Sequence, residues 1–255
     1  MTILCYHSVD PGWQSPLAVT PSDFAAQCAW LARRRKVVPL AEAVDRLDGS
    51  GRLPRGVAAL TFDDGFAELV EHAAPVLARL RLPATVFLVA QTLAEGGREV
   101  DWVDTPGDAP LRTLTREQVQ AMQHAGVDFQ SHSWAHVDLT RLGYDACVAD
   151  LRDSRELLSD LLGQRVSMLA YPRGRHDATV RAAAERAGYT HAFALPERTE
   201  SPSRFSIPRV GIHRGNGLAT VRVKSARPYL AVRTGPAYSL ARQLVRRGRV
   251  PSGTG

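Results

Sequence analysis

Short apolar runs alternate with helix-patterned segments along most of this 255-residue chain, and that alternation limits its fold more than any other feature. Strand-like runs fall at 2–6, 36–40 (KVVPL), 57–62 (VAALTF), 84–89 (ATVFLV), 127–131 (VDFQS), 167–171 (SMLAY), 191–195 and 206–212. Helical periodicity fills the spaces between them at 22–34, 41–48, 66–80, 115–125, 144–162 and 177–187. Thr20-Pro21 with Ser22 opens the first helix, and Thr115-Arg-Glu-Gln118 is a capping-box pattern at the fourth. Strands and helices in strict alternation imply a parallel sheet with crossover helices, either open or closed into a barrel. In such folds the chemistry collects at the C-terminal ends of the strands. The one long irregular stretch, 91–113, is rich in Gly, Asp and Pro and is expected to form a loop over one rim.

Composition excludes several other classes. The hydrophobic fraction of 44% is that of a globular domain, and no apolar run approaches the length needed to cross a bilayer. The opening MTILCYH lacks the basic start, long apolar middle and cleavage site of a secretory signal, so a cytoplasmic location is expected. Cys5, Cys28 and Cys147 are odd in number and widely spaced, which suits reduced thiols.

The net charge of +6 is unevenly distributed: −5 over residues 1–200, but +11 over the last 55, which contain no acidic residue. The division suggests a main domain over 1–215 and a basic extension over 216–255. Within that extension, PAYSLARQLVRRGRV (236–250) has the spacing of a basic amphipathic helix. Such a helix either docks on the main domain or lies on an anionic membrane surface at the inner face. Nucleic acid is not an expected partner, because the tail offers only Tyr229 and Tyr238 as aromatics and no groove-reading motif.

Four segments at strand ends carry candidate chemistry. Thr61-Phe62-Asp63-Asp64-Gly65 ends an apolar strand with two adjacent carboxylates. Neighbours on an extended chain point to opposite sides, so both can serve one site only if the chain turns, which Gly65 permits. His132-Ser-Trp-Ala-His136 follows the next-but-one strand, and its histidines share a face if the segment is one helical turn. One Asp and two His make a three-ligand site with a position left for water, and the other Asp is then free to act as general base. In Ala170-Tyr171-Pro172-Arg173-Gly174 the backbone N–H of Arg173 could act as an oxyanion donor. His213, at the end of the last strand, is a candidate general acid.

Thr-Phe-Asp-Asp-Gly, His-Ser-x-x-His and a Pro-x-Gly turn, in this order, resemble the motifs of the polysaccharide deacetylase family of carbohydrate esterases. The opening Tyr6-His7-Ser8 resembles a segment that begins many bacterial members. The resemblance spans roughly residues 1–215. It implies a distorted, TIM-barrel-like (β/α) barrel of seven or eight parallel strands, and removal of N-acetyl groups from amino-sugar residues. It further implies one divalent ion, Zn2+ first and Co2+ or Ni2+ as alternatives, held by Asp64, His132 and His136. Asp63 would be the base, Arg173 the oxyanion donor and His213 the acid.

Two departures stand out. Ala170 occupies the position where members often place an Arg that steadies the catalytic Asp, so that guanidinium is expected from Arg173 or Arg209 instead. The family's Asp-containing fourth motif, which supports the acid His, has no counterpart near Phe193–Leu195. The competing readings are a related amidohydrolase of a small amide or imide, and a non-catalytic glycan-binding member.

Overall fold

The computed structural model describes residues 2–50, 56–94, 99–105, 107, 110–195 and 203–233. The expected amphipathic helix at 236–250 lies outside them. The chain enters through β1 (Thr2–Tyr6), a small parallel pair, β2 (Ser8–Val9) with β3 (Ala18–Val19), and α1 (Pro21–Arg34). Thr20 caps α1 by accepting from the Asp23 N–H, and Pro21 stands in the first turn, where its missing N–H costs nothing. Then come β4 (Lys36–Val37), α2 (Leu40–Ser50) and β5 (Val57–Phe62).

The expected helix at 66–80 starts late, as a π-turn over Leu69–Ala73 that runs into α3 (Ala74–Leu80). Pro75 has no N–H to return to the preceding turn, and the backbone widens there, with the Ala74 N–H reaching back to the Leu69 carbonyl. After β6 (Ala84–Leu88), α4 (Arg116–His124) opens with both halves of the Thr115/Gln118 capping box in place. The remainder is β7 (Asp128–Ser131), α5 (Tyr144–Leu162), β8 (Met168–Ala170), α6 (Ala178–Arg186), β9 (His191–Ala194), β10 (Ile207–Pro208), β11 (Val210–Gly211), α7 (Leu218–Lys224) and α8 (Arg227–Arg233).

All pairings in the main sheet are parallel, in the order β10-β9-β8-β7-β6-β5-β1-β11, with β4 against the start of β5. The strand expected at 206–212 divides at Arg209. Its first half pairs with β9 and its second with β1, which brings the two edges of the sheet together as a barrel.

Side-chain alternation along the strands sorts residues to two faces. Leu4, Tyr6, Leu60, Phe62, Val86, Leu88 and Leu169 join the large core under the helices. Ile3, Ala59, Phe87, Ala170, Phe193 and Ile207 form a separate cluster that fills the bore. Continuing the inward series by twos leads from Ile3 to Cys5 and His7, and from Ala59 to Thr61 and Asp63. The strand register sets Cys5 beside both Thr61 and Gly211. One step further on, His7 therefore stands between Asp63 and His213 at the C-terminal rim.

Candidate active site

At the end of β5 the backbone turns abruptly. Asp64 and Gly65 both have φ of 69°, so the two carboxylates leave the strand toward the same cavity. A Cβ on Gly65 would lie 2.6 Å from Leu88 Cδ2, so both conformation and space favour glycine there. Asp64 holds a left-handed conformation uncommon for a residue with a side chain, a form of strain that collects at functional sites.

The histidines are not brought together by a helical turn. Residues 132–138 are irregular, with left-handed φ at Ser133 (71°) and His136 (53°). Hydroxyl groups hold this loop: Ser133 Oγ accepts from the His136 N–H at 3.1 Å, and Ser131 Oγ accepts from the Ser133 N–H at 3.2 Å. Asp150, on α5, accepts from the Trp134 N–H at 3.0 Å.

Asp63, Asp64, His132 and His136 are all buried. Asp64 Oδ1 lies 3.3 Å from His136 Nε2 and 3.7 Å from His132 Nε2. Ligand atoms set tetrahedrally about 2.0–2.1 Å from an ion such as Zn2+ lie about 3.4 Å apart, so this donor set fits a single divalent ion. Burial lowers the pKa of both imidazoles, which favours the neutral form that can coordinate. The Ala170 carbonyl, 2.7 Å from His132 Nδ1, accepts its N–H and leaves Nε2 bare toward Asp64.

The two carboxylates sit in opposite electrostatic situations. Burial and the neighbouring Asp63 charge push Asp64 up to about 8, a conflict that a bound cation removes. Burial would raise Asp63 as well, but the Arg209 guanidinium overrides it and holds Asp63 well below the usual carboxylate range. Arg209 is fully buried, donates to both Asp63 oxygens at 2.6 Å, and stacks its charge over Phe87 at 5.2 Å. The Cys5 thiol donates to Asp63 Oδ2 at 3.3 Å. Of the two arginines expected to steady the catalytic carboxylate, Arg209 is the one in contact with it. The Arg173 guanidinium turns instead to Asp104, at 3.1–3.2 Å, and to the Trp102 carbonyl, at 2.7 Å.

A cavity of about 210 Å³ gathers these groups. Its walls include Asp63, Asp64, His132, His136, Arg173 and His213, every site residue expected from the sequence. Arg173 has φ of 55° on the turn after β8, which stays tight because a Cβ on Gly174 would lie 2.6 Å from the Leu195 backbone nitrogen. His213 is partly buried and its pKa lowered, first by burial and then by Lys224. Its Nδ1 has no hydrogen-bond partner among the described residues.

Sequence reasoning did not single out His7 or Trp102 as site residues. His7 lines the same cavity and is lowered to about 4 by burial, hence neutral. It offers a ring nitrogen within 4.8 Å of an Asp63 oxygen and the Cys5 sulfur, and its Nδ1 is unpartnered among the described residues. Trp102 reaches in from the irregular stretch after β6 and donates its indole N–H to Asp64 Oδ1 at 3.0 Å.

The sequence pattern of the polysaccharide deacetylase family matches residues 50–192, more than half the chain. The protein belongs to that family. YxkH of Bacillus subtilis, which bears the family name, is 27% identical over 190 residues, covering 74% of this chain and 62% of its own. The poly-β-1,6-N-acetyl-D-glucosamine N-deacetylase of Staphylococcus epidermidis is 26% identical over 205 residues, covering 76% of this chain and 67% of its own. The chain thus spans about three fifths to two thirds of the length of these relatives. The fold is shared with Streptococcus pyogenes deacetylase PplD, solved with acetate, at a TM-score of 0.72 and 24% identity over 89% of this chain and 98% of that one.

Proposed function

We propose that this protein hydrolyses the acetamide of N-acetylated amino-sugar residues, releasing acetate and a free amine. The observation that carries the proposal is the convergence of Asp64, His132 and His136, with ligand atoms within 4.8 Å of one another, beside the ionised Asp63. The name of the staphylococcal relative supports a glucosamine-based glycan as the substrate class.

Asp64, His132 and His136 would hold one divalent ion. That ion would supply Lewis acidity to water and to the acyl oxygen. Asp63 takes up the proton of the attacking water, and Arg209 keeps its carboxylate ionised and fixed in direction. The Arg173 N–H, on a left-handed turn at the cavity wall, would stabilise negative charge developing on the acyl oxygen. The departing amine needs a proton, and an imidazole that rests neutral can deliver it only after first taking up a proton, such as the one Asp63 removes from the water. His213 is the residue expected from the sequence to do so, and the closeness of His7 to Asp63 favours His7 as a second candidate.

The test uses ion content and amine release from acetylated chitooligosaccharide and from oligomers of β-1,6-linked N-acetylglucosamine. His132→Ala should lose ion and activity together, whereas Asp63→Asn should keep the ion and lose turnover. Loss of the ion in Asp63→Asn would refute the division of roles. The substitutions His7→Ala and His213→Ala separate the candidate acids, with a fall of about 10²–10⁴-fold expected at the true one. Hydrolysis of simple imides but not of either glycan would favour the small-amide reading.

A further inference from the structure

The two metal-facing imidazoles are held in different ways. His132 is oriented by the 2.7 Å contact of its Nδ1 with the Ala170 carbonyl. His136 has no such tether, because its buried Nδ1 lacks a hydrogen-bond partner among the described residues. What does lie against the His136 ring is Trp102, stacked at 5.1 Å with 28° between the planes. The same indole donates its N–H to Asp64 Oδ1, the oxygen that both imidazoles approach. A carboxylate oxygen has two lone pairs, so one can accept the indole while the other stays open.

Trp102 is itself pinned from behind. Arg173 donates to its carbonyl at 2.7 Å and grips Asp104 with both terminal nitrogens, and Trp13 Nε1 donates to the Thr105 carbonyl at 2.9 Å. Although it sits on an irregular segment, Trp102 is only 8% exposed.

We infer that Trp102 is a positioning residue for the metal centre, fixing Asp64 and His136 in one gesture. The Arg173 side chain straps the 102–105 segment to the turn after β8. The inference rests on the reading of Asp64, His132 and His136 as ion ligands. It makes the Trp102 indole the outer support that His136 otherwise lacks, a role that elsewhere changes metal affinity about 10–100-fold.

The experiment titrates the ion-free full-length chain with Co2+, following the visible ligand-field bands and confirming affinity by chelator competition. Trp102→Phe keeps a six-membered ring for stacking but loses the N–H together with the pyrrole half of the indole. It should weaken Co2+ binding about 10-fold or more and shift the bands, while the melting temperature of the ion-free protein stays within about 3 °C of the parent, the size of a roughly 1 kcal/mol change. Arg173→Ala releases the strap from the other end and should weaken Co2+ binding in the same direction. Affinity and bands unchanged in Trp102→Phe, with the parent binding one Co2+, would overturn this inference alone. Failure of the parent to bind Co2+ at all would overturn the metal reading beneath it.

Discussion

Replacing Arg209 with Met should destabilise the protein far more than an ordinary core substitution. The guanidinium is completely buried and gives Asp63 two hydrogen bonds of 2.6 Å, with a third to Thr61 Oγ1 at 3.2 Å. Met approximates the volume but leaves a carboxylate ionised in a pocket without its counter-charge. Breaking a buried pair from one side costs about 3–5 kcal/mol. For a chain of this size each kcal/mol moves the melting temperature by about 2–4 °C, so a fall of about 6–20 °C is expected. The assay is calorimetric unfolding of chelator-treated protein, which removes any ion contribution to stability. Adding Asp63→Asn to Arg209→Met removes the stranded charge and should recover more than half of the loss, whereas Asp63→Asn alone strands Arg209 and is itself destabilising. An Arg209→Met melting temperature within about 3 °C of the parent, a change of roughly 1 kcal/mol, or a double variant no better than the single one, would refute this account of the pair.

Other substitutions follow from the same geometry. Gly174→Ala should cost more stability than Gly65→Ala, because its Cβ meets the Leu195 backbone nitrogen at 2.6 Å, whereas at Gly65 it meets the movable tip of Leu88; paired urea denaturation curves decide this. Tyr189→Phe removes a buried hydroxyl lying 2.7 Å from Ser131 Oγ and 3.0 Å from the Leu151 carbonyl, and should cost about 1–2 kcal/mol by the same assay with deacetylation unchanged. Burial would raise the pKa of Asp138, but hydrogen bonds from Thr140 and Arg175 hold it below its ordinary value. A depressed carboxylate pKa adds stability above its unfolded value that is lost on acidification. The advantage of the parent over Asp138→Asn should therefore be full above about pH 4 and fade below it, as read by melting temperature against pH.

The barrel was legible because its strands are short apolar runs bounded by turn residues, and α5 emerged at its observed limits of Tyr144–Leu162. The pairs β2 and β3 escaped notice because two residues carry no periodicity. The short α7 and α8 lie in the basic stretch where charge, not pattern, drew attention. Asp63, Asp64, His132 and His136 were visible as motifs, yet the shape of the His132–His136 loop was not, since left-handed turns at Ser133 and His136 leave no mark in residue type. Trp102 acts across 38 residues from within an irregular stretch, and nothing local distinguishes it from a packing aromatic. His7 was within reach: alternation from Ile3, combined with pairing of β1 against β5, sets it beside Asp63.

The seam at 207–211 bears on the order in which the molecule can be made. Asp63, Asp64, His132 and His136 all leave the ribosome before Arg209, which closes its contact with Asp63 across 146 residues of chain. Until that segment arrives, β1 lacks its neighbour on one side and the carboxylate lacks its counter-ion. Sealing the rim and neutralising the pocket are therefore one late event, in which the nascent chain acquires its architecture and its chemistry together. A lesion at Ile207–Gly211 would strike both at once, however far it lies in sequence from the motifs that name the family.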